Sequence, residues 1–354
     1  MTCARTVFRC FKWLERLGDK VTGAAGPLFI FLAIVLISTG TICFFFVVLP
    51  DLSFPLLSWP ICTLIASNLW MHYYYVCTVP PGFVDDPPPE SCKGWRWARK
   101  RKVARNRALT GVRWTGEGGV KMSRGSVTRC KRCGLMRPER SHHCRICNRC
   151  VLKFDHHCPV SIRINQCVGL HNERHFILFM AYLILSCFCY CILGYPHFFE
   201  AIGFTFNDHW DHFVPALAFI LTYILSGVLF LAVGIMLSWH LWGIVNGETS
   251  VESQDHEVYR KIAKGRGDTF VNSYDLGKRK NLEVFFNVGQ DGYPLWTLCF
   301  PFRIEPYTDG RTWARREGYE RHLGVREGDE LTDEDEEEEE DQPPARREGS
   351  AARD

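Results

Sequence analysis

The chain has 354 residues, 47% of them hydrophobic and only 23% charged, with a formal net charge of +3. The balance hides a segregated sequence, in which four long apolar runs lie between strongly basic and strongly acidic segments. Seventeen cysteines would suit a disulfide-rich secreted protein. Two features oppose that: charge interleaves with apolar residues through Lys20, so no cleavable signal peptide is expected, and the cysteines fall in C-x2-C pairs mixed with histidine, as in metal binding in a reducing compartment.

In chain order, an N-terminal arm (1–27) precedes an uncharged run at 28–49, long enough to cross a hydrocarbon core of about 30 Å. A second run, 56–79, is weaker because Trp59, Pro60, Asn68 and His72 interrupt it. Residues 80–129 begin with the turn-rich P-P-G-F-V-D-D-P-P-P-E and continue into the basic, aromatic block 95–107. That block is short and tied to a membrane, so anionic headgroups, worth about 1 kcal/mol per basic residue, are a better partner for it than nucleic acid. A cysteine-rich segment (130–175) follows, then apolar runs at 176–195 and 214–239 within a second membrane unit (176–245), a C-terminal region (246–325) and an acidic tail (326–354) whose composition predicts disorder.

Lysine and arginine are absent from 50–55 and from 196–213, where Glu200, Asp208 and Asp211 stand instead. The positive-inside rule then puts both termini and the long central segment in the cytosol, and Trp13, Trp59, Trp70, Trp239 and Trp242 lie near span ends, where interfacial anchors belong. The expected fold is an all-α integral membrane protein: four transmembrane helices, with a small cytosolic two-zinc domain between helices 2 and 3.

From Cys130 the chain reads C-K-R-C-G-L-M-R-P-E-R-S-H-H-C-R-I-C-N-R-C-V-L-K-F-D-H-H-C. Tetrahedral zinc takes four thiolate or imidazole ligands, and two-residue spacers let paired cysteines grip one ion. Cys130, Cys133, Cys144, Cys147, Cys150 and Cys167, with His143 and His157, supply enough ligands for two closed sites. Structural zinc would order a segment otherwise short of apolar residues. Cys158 is left over. A cysteine outside the ligand set, just after two histidines and an aspartate, is a candidate nucleophile. An imidazole can take its proton and an aspartate can hold that imidazole in the right tautomer. Asp155, His156 and Cys158 fill those roles within four residues.

Asp155-His156-His157-Cys158, in a cysteine-rich domain between spans two and three, resembles the DHHC protein S-acyltransferases over residues 28–287. The resemblance implies that His156 is the base, that Asp155 orients it and that His157 is a zinc ligand. It also implies a partition of ligands: Cys130, Cys133, His143 and Cys150 for one ion, Cys144, Cys147, His157 and Cys167 for the other. Thr249-Ser250-Val251-Glu252 resembles the family's TTxE element, with Ser250 keeping a hydroxyl for a contact near Asp155. Asn272 to Gly277, then Asn281, resembles its C-terminal aromatic motif.

The implied activity moves a long-chain acyl group, typically palmitoyl, from acyl-coenzyme A to protein cysteines through an acyl-cysteine enzyme. Two structural zinc ions, palmitoyl-coenzyme A as donor, the bilayer and protein substrates with membrane-proximal cysteines are the implied cofactors and partners, with no nucleic acid; the implied location is the endomembrane system, ER or Golgi. Counting from Cys167 along the third span, the position that closes the far end of the family's acyl cavity is Ser186. Its hydroxyl is expected to back-bond within the helix, and its small size predicts a deep cavity.

The sequence departs from the family pattern after the nucleophile. Val160 replaces the usual tryptophan, and eight residues instead of five separate Cys158 from Cys167. The extra residues either bulge outward at little entropic cost, misplace the nucleophile, or stem from a misplaced exon boundary within 160–163. A catalytically impaired membrane scaffold is therefore the rival reading. Metal transport is another, but polar residues in the spans are few: Asn68, His72 and His240. His72 reads as interfacial, and Cys43, Cys62, Cys77, Cys187, Cys189 and Cys191 as small apolar residues.

Overall fold

The computed structural model describes residues 27–87, 97–98, 120–158, 166–204, 210–289 and 292–326. The arm, most of the basic block, residues 159–165 after the candidate nucleophile and nearly all of the acidic tail lie outside the described residues.

Among the described residues, three helices are long and apolar enough to cross a membrane: α1 (Pro27–Asp51), α3 (Glu173–Leu193) and α5 (Ala216–Val245). Between the first two lies α2 (Pro55–Thr78), which is of similar length but more polar. Pro at the start of α2 and Pro196 at the start of the short α4 (Tyr195–Ala201) occupy first-turn positions where a missing N–H costs nothing. α3 packs between α2 and α5. Leu28, Phe31, Leu56, Phe188, Leu217 and Ile235 point outward, a surface that suits lipid and not water.

The polar residues of α2 are not at an interface. Asn68 and His72 are fully buried. Asn68 Nδ2 donates to the carbonyl of Cys299 at 2.9 Å, and His72 meets His175 of α3 at 3.1 Å and stacks on Tyr182. This corrects the interfacial reading of His72: polar groups facing protein escape the desolvation cost that lipid would impose. The 3-10 turn Leu295–Leu298 and the residues after it are held against these helices by Arg174, which donates to Thr297 and Phe302 carbonyls, and by Tyr182 Oη to Leu298.

The all-α expectation holds for the apolar runs but fails for the cysteine-rich domain, which is built from two-stranded antiparallel ladders. These are β2 (Val127–Arg129) with β3 (Met136–Pro138), β4 (His142–Cys144) with β5 (Arg149–Val151), and β6 (His156–Cys158) with β7 (Gln166–Val168). The segment is too polar for a helical core, and short hairpins bring C-x2-C knuckles together without one. A fourth ladder joins β1 (Val120–Arg124) to β8 (Thr312–Arg316), so the C-terminal region closes over the domain. Leu152, Leu170, Tyr274, Val284, Tyr307 and Trp313 share one core with Cys130 and Cys150.

Two C-terminal helices complete the fold, α6 (Ser250–Gly265) and α7 (Lys278–Phe286). Between α5 and α6, Gly247 adopts φ +72°, and a Cβ there would meet the Tyr274 carbonyl oxygen at 2.7 Å, so the turn requires glycine. Thr249 and Glu252 form a reciprocal capping box at the start of α6. Glu252 also takes a two-pronged ion pair from Arg140, at 2.5 and 2.6 Å, while Arg140 reaches the Gly247 carbonyl and lies over the Tyr274 ring. Burial would raise the Glu252 carboxyl, but the Arg140 guanidinium holds it down at about 2. Removing one partner leaves a buried charge exposed to no counter-ion. Glu252→Ala should therefore lower stability by about 3–5 kcal/mol, whereas the exposed Gln254→Ala should stay within about 0.5 kcal/mol. Denaturant unfolding of the two purified variants is the measurement.

Candidate active site

Strand geometry sorts the crowded ligands. Successive side chains on a strand point to opposite faces, so neighbours His143 and Cys144 on β4 go to different clusters. The first cluster is Cys130, Cys133, His143 and Cys150, and the second is Cys144, Cys147, His157 and Cys167. In the first, Cys130 and Cys150 sulfurs lie 3.7 and 3.8 Å from His143 Nδ1, and Cys133 lies 3.4 Å from Cys150. In the second, Cys144, Cys147 and Cys167 lie 3.4, 3.5 and 3.5 Å from His157 Nδ1. A tetrahedron with Zn–S of about 2.3 Å and Zn–N of about 2.0–2.1 Å has edges of roughly 3.4–3.8 Å. The described cysteines are all free thiols, so both Cys3His groups are consistent with zinc sites.

The same alternation on β6 turns His157 toward the second cluster and leaves His156 and Cys158 to the other face. The ladder pairs His157 with Cys167 and Cys158 with Gln166. Both ends of the long connection are thus in register, and Cys167 reaches its cluster. A Cβ on Gly169, just past β7, would meet Val151 at 2.8 Å and the Leu152 carbonyl at 2.9 Å, which keeps β7 tight against β5. Asn172 then ties β7 to the start of α3, accepting from Gly169 N and donating to the Cys167 carbonyl.

His156 Nδ1 lies 2.7 Å from Asp155 Oδ2, and Cys158 is a second polar neighbour of the ring. Burial would lower the His156 pKa, but the Asp155 carboxylate and Cys158 outweigh it and raise the imidazole to about 9. Burial would raise Asp155, yet His156, the Ser250 N–H and His240 bring it to about 2. The Ser250 contact differs from expectation. The backbone N–H of Ser250, at the first turn of α6, donates to Asp155 Oδ1 at 2.7 Å, where the sequence suggested the hydroxyl. An amide at a helix N-terminus favours a carboxylate whatever its side chain.

His240 of α5 was noticed in the sequence only as one of few polar residues in the spans. Its Nδ1 lies 3.5 Å from Asp155 Oδ2, and its ring packs on His156 and Phe176 at 5.5 and 5.4 Å. Arg140 was missed altogether, although it carries the pairing with Glu252. The only signal for His240 was a polar residue in an apolar context, and Arg140, within the charged stretch 137–143, gave none.

Beside Cys158 lie Val76, Val168, Phe176 and Met180. Farther along the same helices a partly open pocket lies among α1, α2, α3 and α5, lined by Leu36, Gly40, Ala66, Leu183, Ser186 and Leu229 among others. Ser186 lies ten residues beyond Phe176, about 15 Å along α3. Its hydroxyl is buried and makes no hydrogen bond among the described residues, contrary to the back-bond expected of it.

The site thus sets a thiol beside a carboxylate-held imidazole, braced by two Cys3His groups, at one end of an apolar helix bundle. The chain belongs to the DHHC palmitoyltransferase family, whose profile matches residues 125–257. It is 30% identical to mouse palmitoyltransferase ZDHHC16 over 88% of this chain and 80% of that protein. It is 28% identical to zebrafish palmitoyltransferase ZDHHC16A over 83% and 80%, and 30% identical to mouse palmitoyltransferase ZDHHC2 over 49% and 43%. The family takes protein substrates and an acyl-coenzyme A donor.

The division of labour on β6 makes a direct expectation. His157→Ala should cost one zinc equivalent per chain and loosen the domain, while Cys158→Ser keeps the parent's zinc content, both read by elemental analysis. Equal loss in both would overturn the partition.

Proposed function

We propose that Cys158 is the nucleophile of palmitoyl transfer, with His156 as its base and Asp155 as the group that orients His156. The observation that carries this reading is the Asp155–His156 hydrogen bond on the Cys158 face of β6. His156 takes the Cys158 proton, and the thiolate attacks the thioester carbonyl of palmitoyl-coenzyme A. The carbon–sulfur bond to coenzyme A breaks, and His156 returns the proton to the departing thiolate. In the second half a substrate cysteine gives its proton to His156 and attacks the acyl-Cys158, which leaves as a thiol. His240 and the Ser250 N–H are positioning groups, since both act on Asp155 and touch no reacting atom. The two Cys3His sets hold structural zinc, which supplies the cross-links that a core this small lacks. The impaired-scaffold alternative rests on the extra residues after Cys158 and on Val160, whereas the in-register ladder on either side of them supports the active reading.

The membrane unit comprises four spans. α2 has 24 residues, about 36 Å of helix, and its polar residues face α3 and the 295–302 segment instead of lipid. On this topology residues 28–79 and 176–245 are membrane units. The zinc domain 130–175, the basic linker 80–129, the region 246–325, both termini and the tail 326–354 are cytosolic, in an ER or Golgi membrane. Substrates are proteins with cysteines close to that membrane, and the acyl chain gains about 0.8 kcal/mol per buried CH₂ at the bilayer face.

Cys158→Ser should abolish hydroxylamine-sensitive acyl label on the purified protein. His156→Ala should slow enzyme acylation by on the order of 10²–10⁴, with zinc content measured alongside. Full label on either variant would remove the proposed roles.

Ser186 forms part of the acyl-binding wall. Its small side chain leaves the cavity deep, so acyl chains longer than palmitoyl should be accepted as readily as palmitoyl. Ser186→Tyr should shift preference toward shorter chains in competition between acyl-coenzyme A donors; an unchanged profile would mean that Ser186 does not bound the acyl chain.

A further inference from the structure

The end of α3 opposite the Asp155–His156–Cys158 set carries a second group of metal-type ligands that palmitoyl transfer does not use. Three chain segments meet there. Asp51 ends α1, α4 presents His197 and Glu200 three residues apart and therefore on one face, and His212 precedes α5. His197, Glu200 and His212 each offer a ligand atom, all within 4.8 Å of one another.

The distances are those of metal ligands more than of hydrogen bonds. Glu200 Oε2 lies 3.6 Å from His197 Nδ1 and 3.9 Å from His212 Nε2. Nitrogen–oxygen hydrogen bonds run about 2.7–3.2 Å. A tetrahedron of nitrogen and oxygen ligands at about 2.0–2.2 Å has edges of roughly 3.3–3.6 Å, so a small inward movement of His212 completes the set. His197 is only 9% exposed, and its buried Nδ1 has no hydrogen-bond partner among the described residues. A buried nitrogen left in that state is costly, and a cation among the three groups removes the cost. The other ring nitrogen, Nε2, faces Asp51 Oδ2 at 3.5 Å. At 3.5 Å this is not yet a hydrogen bond, but a small approach of the Asp51 carboxylate would give the carboxylate–histidine–metal arrangement in which an acid holds the distal N–H of a ligating histidine.

The frame is rigid. Val47 and Val48, in the π-helical end of α1, pack with Tyr190, Val214 and Phe219 in one buried cluster. The His212 ring lies 4.5 Å from Trp210, and the His197 ring 5.5 Å from that of His212. The packing thus sets both imidazoles before any ion arrives.

We propose that His197 Nδ1, Glu200 and His212 Nε2 bind a zinc ion, with Asp51 accepting from His197 and a fourth position open to water. The donor set of two imidazoles and a carboxylate suits zinc among the available divalent metals. Its effect is to tie the end of α1 to α4 and the start of α5, closing the helix bundle at the end away from the Cys3His groups. With no thiolate and an open position, this ion exchanges more readily than the other two.

The test uses the full-length protein in detergent, dialysed against buffered zinc. The parent should hold one more zinc per chain than His212→Ala or Glu200→Gln, and added zinc should raise its thermal midpoint but not theirs. Autoacylation by the variants, whose substitutions lie far from Cys158, serves as the check that they are folded. Cobalt loaded into the exchangeable site should give a visible band lacking thiolate charge-transfer absorption. Equal zinc content and an equal zinc response in parent and variants would overturn the proposal. So would a stabilisation of the parent that follows acidification in chelator and ignores zinc, which would mark the group as a protonated ion-pair network.

Discussion

A strand sends successive side chains to opposite faces, and nearly everything at this site depends on that alternation in β6. It sends His157 into a Cys3His cluster and leaves His156 and Cys158 on the side where Asp155, Phe176 and His240 stand. Four consecutive residues therefore serve two purposes without competing for the same sulfur or nitrogen. The same rule on β4 parts His143 from Cys144 and interleaves the two clusters along the chain. A slip of one residue in either ladder would exchange the faces, placing a ligand at the reaction site and the proposed nucleophile in a cluster. The in-register pairing of β6 with β7 thus matters more than the length of the connection between them.

Orientation of Asp155 comes from a separate line of contacts. Arg140, in the turn before β4, grips Glu252, and Glu252 caps α6. The capped helix then aims the Ser250 N–H at Asp155. Each link is a charge-assisted hydrogen bond in a buried setting, where such bonds are short and strong. The cysteine-rich domain and the helix after α5 are joined by this line and by the ladder of β1 with β8. Lys153 adds a buried ion pair to Glu173 at 2.6 Å, at the point where the domain meets α3. The Cys3His groups and the membrane helices are thereby held in one geometry, as transfer of an acyl group from acyl-coenzyme A to a protein substrate requires.

The two ends of the helix bundle are closed by different means. One is covered by the cysteine-rich domain and its C-terminal wrap. The other relies on an aromatic cluster around Phe219 and on the His197, Glu200 and His212 group beside it. The cavity containing Ser186 lies between them, bounded by four helices.

Much of this was legible in the sequence because it rests on spacing and composition. Uninterrupted apolar runs mark α1, α3 and α5, and the C-x2-C pairs with two histidines mark the ligands. Cys158 stands out as the thiol those ligands leave over. Other features depend on residues distant in the chain. His72 read as interfacial because nothing local reveals that His175 and Tyr182 cover it. The hydroxyl of Ser250 drew attention while its backbone N–H makes the contact, and a sequence does not show which amide a helix start will aim. Strands in the cysteine-rich domain were not foreseen, since three-residue ladders have too few positions for a period to register. Arg140, His240 and the meeting of Asp51 with α4 are products of packing alone. The sequence by itself determined the candidate reacting groups, the metal-type ligands and the apolar helices, because each is encoded within a short window. Only the tertiary structure decided which face each ligand takes, through pairing of nearby strands, and what holds Asp155 and covers the polar residues of α2, through contacts between residues 95 to 231 positions apart.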